Sequence, residues 1–212
     1  MSTVLSYALI VLVTFATSSW LQAINIFSER KNPSVLSGVS PNSVFLCFTA
    51  GFLWLVYGAS RGLVGAVSNA VLECICAGTI IAILALGGFV GKKRGAIYIL
   101  IAALVLTMAL LFPLMSGILA TCIGASFLIP QAVLTVRSIG TPAINGFAWT
   151  SVAMVLTANP VWIVYAVINH DAIIAISSFI LFTCGVVMAT SKLVHKKRYA
   201  DNVHNVSIAE IA

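Results

Sequence analysis

The chain says nearly the same thing twice. Trp54-Leu55-Val56-Tyr57-Gly58 returns 108 residues later as Trp162-Ile163-Val164-Tyr165-Ala166, and Leu21-Gln22-Ala23 returns 109 residues later as Pro130-Gln131-Ala132. A repeat on this scale marks two similar structural units. The units are apolar: of 212 residues, 61% are hydrophobic and 8% charged, whereas soluble domains carry about a quarter charged residues. A soluble globule is therefore excluded. In so apolar a chain, a duplication predicts two helical halves in a bilayer with a site between them.

A bilayer span needs roughly 20 apolar residues. Hydropathy gives seven such segments: Val4–Ile26, Ser43–Gly58, Leu63–Val90, Ala96–Met115, Gly117–Val136, Gly146–Val167 and Ala172–Val194. All should be helices, because a lipid-exposed span must satisfy its own backbone hydrogen bonds. The first run has no Lys or Arg before it and no small-residue cleavage site after a short core, so it reads as a retained span and not a signal peptide. The tail from Tyr199 to Ala212 is polar and is expected to be loose.

The cations fix an expected orientation. Of the eleven Lys and Arg residues, ten fall on one side: Arg30 and Lys31, Lys92 to Arg94, Arg137, and Lys192 with Lys196 to Arg198. Arg61 alone falls on the other. The positive-inside rule then predicts an N-terminus outside and a C-terminus in the cytoplasm, with the plasma membrane as the expected location. The formal net charge is +6. It lies in short gaps between apolar runs and not on a folded basic face, so no nucleic-acid partner is expected. Cys47, Cys74, Cys76, Cys122 and Cys184 all fall inside spans without the spacing of a zinc pair, and read as small buried apolar residues. No metal and no cofactor is expected.

The repeat maps onto the spans. The first copy covers spans 1–3 and the second spans 5–7. Span 4 is left over; from Ala96 to Phe112 its only polar side chains are Tyr98 and Thr107, which predicts a lipid-facing helix. One extra span between two three-span units makes both units point the same way. The expected fold is an all-α integral membrane protein with seven transmembrane helices in a 3+1+3 layout, two parallel triple-helix bundles joined by a linker helix. Its expected units are residues 1–91, the linker 92–116, residues 117–195, and a cytoplasmic tail, 196–212.

Pro130-Gln131 in span 5, the doubled Trp-x-x-Tyr in spans 2 and 6, Asn69 eleven residues after Gly58, and the 3+1+3 count together resemble the PQ-loop superfamily, and within it the SWEET sugar transporters. The resemblance covers nearly the whole chain short of the tail. The first half departs from it, with Leu21-Gln22 where the family motif gives Pro-Gln. The resemblance implies alternating access between the two repeats. It also implies a central pocket lined at the Asn69 and Trp54 positions, whose counterparts here are Ser178 (or Ser177, one residue earlier) and Trp162.

The chemistry of that set is coherent. An indole face packs against the C–H face of a sugar or an apolar side chain, while an amide and a hydroxyl bond to hydroxyl groups. Against it stands interfacial anchoring of the tryptophans and a helix-to-helix hydrogen bond for Asn69. Glu73, the only acid at membrane depth, lies four residues after Asn69 and on the same helix face. It is the candidate coupling or solute-contacting acid, or else a neutral carboxyl bonded to a neighbouring helix.

Two charges stand at the outer ends, Arg61 four residues after Tyr57 and Asp171 six after Tyr165. The related single-repeat sugar transporters close their outer face with Tyr, Arg and Asp at such places. The resemblance thus implies an outer gate of Tyr57, Arg61, Tyr165 and Asp171, with an Arg61–Asp171 pair as its latch; the alternative is two solvated loop charges. Pro130 interrupts span 5 and permits bending. Gln22, Pro130 and Gln131 are the expected hinge positions, or a static kink.

The leading expectation is a membrane transporter of a small polar solute, a sugar first. A proton-coupled amino-acid carrier of PQ-loop type and a non-transporting membrane receptor or sorting protein are the alternatives. An enzyme is not expected: no His lies within a span and no nucleophile–base pair is visible. The expected partners are the solute and the lipid bilayer, and self-association into a homo-oligomer stays open.

Overall fold

Helix boundaries follow local punctuation more closely than they follow hydropathy. The computed structural model of the chain describes residues 12, 19–33, 36, 39–140 and 149–209. It places seven helices there: α1 Ser19–Ser28, α2 Pro41–Ser60, α3 Val64–Leu86, α4 Lys92–Leu111, α5 Pro113–Arg137, α6 Trp149–Ile168 and α7 Ala172–Ala209. No strand occurs among the described residues. Five helices are long and apolar enough to cross a membrane, namely α2 to α5 and the Ala172–Lys197 stretch of α7, while α6 supplies the shorter apolar run Val152–Ile168. Most of the first expected span, before Ser19, lies outside the described residues.

Helix α2 begins at Pro41, earlier than hydropathy suggests, because Ser40 caps it and Pro41 occupies the first turn, where a missing N–H costs nothing. Helix α3 stops at Leu86, short of Val90, at Gly87-Gly88, and Gly88 takes φ 79°. The α4–α5 boundary falls at Phe112, not Met115. Pro113 disfavours helical backbone at the residue before it, and Phe112 accordingly has φ −133° and ψ 70°. Lys92 to Arg94 lie inside the first turn of α4 and not in a gap. The polar tail is helical through Ala209, where α7 ends, with no glycine or proline after Gly185 to stop it.

The packing repeats with the sequence. Helix α3 lies against both α1 and α2, and α7 lies against both α5 and α6. The α2–α3 and α6–α7 hairpins close tightly on small residues, as membrane helices do. A Cβ on Gly58 would stand 3.1 Å from Ala66 Cβ, and one on Gly185 would stand 2.8 Å from Val155 Cγ1. The two halves meet where α2 packs on α5. Helix α4 leans on α2 and α5 and buries only Ala109. Its Tyr98 stacks on Phe45 with ring centroids 4.3 Å apart and donates to Asn42 Oδ1. From Ala96 onward the rest of α4 is a largely apolar outward face.

Candidate functional site

One end of the bundle gathers the α2–α3 turn and the α6–α7 turn, and there each half reaches into the other. The Tyr57 hydroxyl donates to Asp171 Oδ2 at 2.7 Å. The other oxygen of Asp171 accepts from the Ile174 N–H at 2.9 Å. Asp171 is thus the cap of α7, satisfying one of the orphan N–H groups at a helix start. Helix α3 has Leu63 at the equivalent place, with no side chain to cap it. Tyr165 performs that task from the other half: its hydroxyl accepts from the Gly65 N–H at 3.0 Å. The two tyrosines of the repeat therefore act alike, each bonding the start of the opposite half's third helix.

Both rings lie on glycines. A Cβ on Gly117 would be 2.7 Å from Tyr57 Cδ2, and one on Gly65 would be 2.7 Å from Tyr165 Cε2. Tyr57 and Tyr165 are buried together with Leu63, Ala66, Ala166 and Ile174. Asp171 is only 3% exposed, so it is not a solvated loop charge. Arg61 is the looser member. Its Nε stands 3.9 Å from Asp171 Oδ2, and its side chain is half exposed. The ion pair expected as the latch is thus the outer edge of a tyrosine–carboxylate contact that holds the two halves more directly.

Immediately inside this closure is a cavity of about 250 Å³. Trp54, Asn69, Trp162, Ser177 and Ser178 all line it. The four helices bring these residues to one depth, about 9 Å from the closed end at ~1.5 Å per residue. Trp54 and Trp162 each meet their own Tyr edge-on, at centroid distances of 5.7 and 5.5 Å and interplanar angles of 75° and 81°. The doubled Trp-x-x-Tyr motif therefore has one geometry, with indoles toward the cavity and phenols in the closure.

The polar atoms of the cavity are underused by the protein itself. Six Ser and Thr side chains among the described residues are buried: Thr49, Ser116, Thr135, Ser177, Ser178 and Ser191. Four of them return their hydroxyl to a carbonyl of their own helix. Ser177 and Ser178, at the cavity, make no such bond. Asn69 Oδ1 is buried without a partner; a group so placed costs about 1–3 kcal/mol unless something bonds to it. A further amide, Asn159 of α6, lines the same space and was not singled out from sequence. Its Nδ2 donates to Val155 O at 2.7 Å. The available signal was an Asn directly before Pro160 within an apolar helix.

Other expected positions lie elsewhere. Glu73 is not among the cavity-lining residues. Its methylenes fill the space beside Gly51, where an added Cβ would meet Glu73 Cγ at 3.0 Å. Sharing a face with Asn69 does not bring Glu73 to the cavity, because α2 passes directly over it. Pro130 lies inside an unbroken α5 with its ring exposed, and Gln131 is half-buried, its carbonyl accepting from Thr135 Oγ1 at 2.8 Å. Gln22 lies in α1, and its side chain is outside the described residues.

No family model, curated protein or solved structure matches the chain.

Proposed function

We propose that the chain is a carrier for a small, neutral, hydroxylated solute, a sugar first, working by alternating access between two triple-helix repeats. The observation that carries this reading is the cavity itself. It lies between the halves, closed at one end by contacts that cross from half to half, and it is lined by two indoles, by Ser177 and Ser178, and by Asn69, whose Oδ1 has no partner. Such a site favours a ligand with several hydrogen-bond donors and an apolar face. Among the described residues no charged side chain lines it. A zwitterionic amino acid would leave two charges uncompensated at membrane depth, which favours a neutral solute over the amino-acid alternative. Glu73, away from the cavity, gives proton coupling no route through the solute site.

In this reading the seven helices are seven spans, 3+1+3, of the PQ-loop, SWEET-like kind, and α4 is the lipid-facing linker. The asymmetry of Lys and Arg puts the tyrosine closure on the outer face and the C-terminus in the cytoplasm. The closure must break for the outer face to open. A hydrogen bond of about 1.5–3 kcal/mol, flanked by a weak ion pair, suits a two-state element that a bound solute can bias.

The test is uptake of a panel of hexoses, disaccharides, polyols and neutral amino acids into proteoliposomes, with and without a pH gradient. Saturable hexose uptake that is indifferent to the gradient is expected, and Asn69→Ala and Trp162→Ala should abolish it. Gradient-driven amino-acid uptake, or no flux of any solute in vesicles holding folded protein, would overturn the proposal.

A further inference from the structure

The cavity does not stop at its polar layer. Beyond Asn69 and the two serines it continues to about 20 Å from the closed end, at ~1.5 Å per residue along α5 and α6. Among the described residues its walls there are Leu128, Met154, Val155 and Leu181, which belong to the second half, with Asn159 at the mouth. The extension has a floor. Leu128 rests on a cluster of Ala132, Val152, Cys184 and Met188, in which Val152 and Met188 are wholly buried.

The equivalent place in the first half is occupied among the described residues. The repeat spacing of 108 residues that pairs Trp54 with Trp162 also pairs Gly51 with Asn159 and Glu73 with Leu181. In the first half the Glu73 side chain fills the space over Gly51. In the second half Asn159 and Leu181 both line the cavity. At this pair of positions the second half has thus kept a recess where the first is filled. The kept one is apolar, with a single amide at its entrance.

We infer that this recess is a second subsite, which takes a short apolar substituent on the solute whose hydroxyls bond in the layer of Asn69, Ser177 and Ser178. The preferred ligand is then amphipathic, a hydroxylated ring bearing an alkyl or aryl group, and not the bare ring. This inference rests on the carrier reading for the ring but not for its transport, since occupancy of the recess is an equilibrium property. Apolar walls reward each methylene removed from water by about fourfold in affinity, equivalent to about 0.8 kcal/mol. A floored recess ends that gain once it is full.

The test is equilibrium binding to the full chain in lipid nanodiscs, free of glycoside detergent, followed by the fluorescence of the cavity tryptophans and by calorimetry. The probes are glucose and its methyl, ethyl, propyl, butyl and hexyl β-glucosides. Affinity is expected to rise about fourfold per methylene from methyl to about propyl and then to level off. In Met154→Trp and Leu128→Trp, which fill the recess, the ratio of propyl glucoside to glucose affinity should collapse toward one, whatever happens to glucose itself. Leu110→Trp, on the outward face of α4, should keep the wild-type ratio. Equal affinity for glucose and its short glucosides overturns the subsite while leaving the carrier reading standing. A ratio that survives in both filled variants, or a gain that continues unbroken through hexyl, also overturns the subsite. Binding that follows the expected series in a protein with no flux supports the subsite and removes the carrier. Absence of binding by every probe overturns both.

Discussion

Removing one oxygen atom from Tyr57 should open the closed end more than removing the whole charge of Arg61. In Tyr57→Phe the ring keeps its seat on Gly117, but Asp171 Oδ2 loses its 2.7 Å donor. What remains on that oxygen is Arg61 Nε at 3.9 Å, from a side chain half in solvent. A buried hydrogen bond to a charged acceptor contributes about 1.5–3 kcal/mol, and every 1.4 kcal/mol is tenfold in an equilibrium. The open population should therefore rise about 10- to 150-fold. Tyr165→Phe removes a neutral bond to the Gly65 N–H, about 0.5–1.5 kcal/mol, for roughly a 2- to 13-fold rise. Arg61→Ala removes an exposed pair of about 0–1 kcal/mol, at most about fivefold. The assay is the rate at which a membrane-impermeant thiol reagent modifies a cysteine placed at Ser178, one layer inside the closure, with the five native cysteines replaced by serine or alanine. The expected order of rates is Tyr57→Phe, then Tyr165→Phe, then Arg61→Ala. If Arg61→Ala matched Tyr57→Phe, or if Tyr57→Phe left the rate unmoved, the closure would not be the tyrosine–carboxylate contact described here.

Three further outcomes follow from the same contacts. Gly65→Ala and Gly117→Ala each drive a methyl to within 2.7 Å of a tyrosine ring carbon, so each should lower the melting temperature in detergent, at a cost of about 1–3 kcal/mol, and raise Ser178→Cys labelling as well. Asn69→Leu relieves a buried, unbonded carbonyl oxygen, so the solute-free protein should melt no lower than wild type while its solute-induced rise in melting temperature disappears. A large loss of stability without solute would show that the amide has a structural partner. Glu73→Gln should leave the pH profile of uptake where it was, since the side chain packs over Gly51 and does not line the cavity; a profile that flattens would put the carboxyl back into the transport cycle.

Much of the site is legible in the chain because duplication acts as an internal alignment. Two copies of Trp-x-x-Tyr at one spacing say that the indoles and phenols do the same work twice, and the cavity and closure contain all four. Asn69 and the serine pair follow from depth and from the cost of polar groups in lipid. Glu73 misleads because helical periodicity gives a face and not what covers it. Asn159 escapes notice because its first-half counterpart is Gly51, so the repeat that revealed the other residues held nothing polar to compare it with.

The sequence alone determined that the chain is helical and membrane-embedded, because an apolar backbone in lipid can satisfy its hydrogen bonds in few ways. It also determined where most helices turn, because Pro113, Gly87-Gly88 and the polar gaps act within a few residues of themselves. Only the tertiary structure decided which partner Asp171 takes, that Tyr165 caps a helix of the other half, and that Glu73 fills the space over Gly51 while Asn159 and Leu181 line a cavity. The first two outcomes depend on contacts between residues about 100 positions apart, and no local pattern encodes the distance between two helices that have yet to meet.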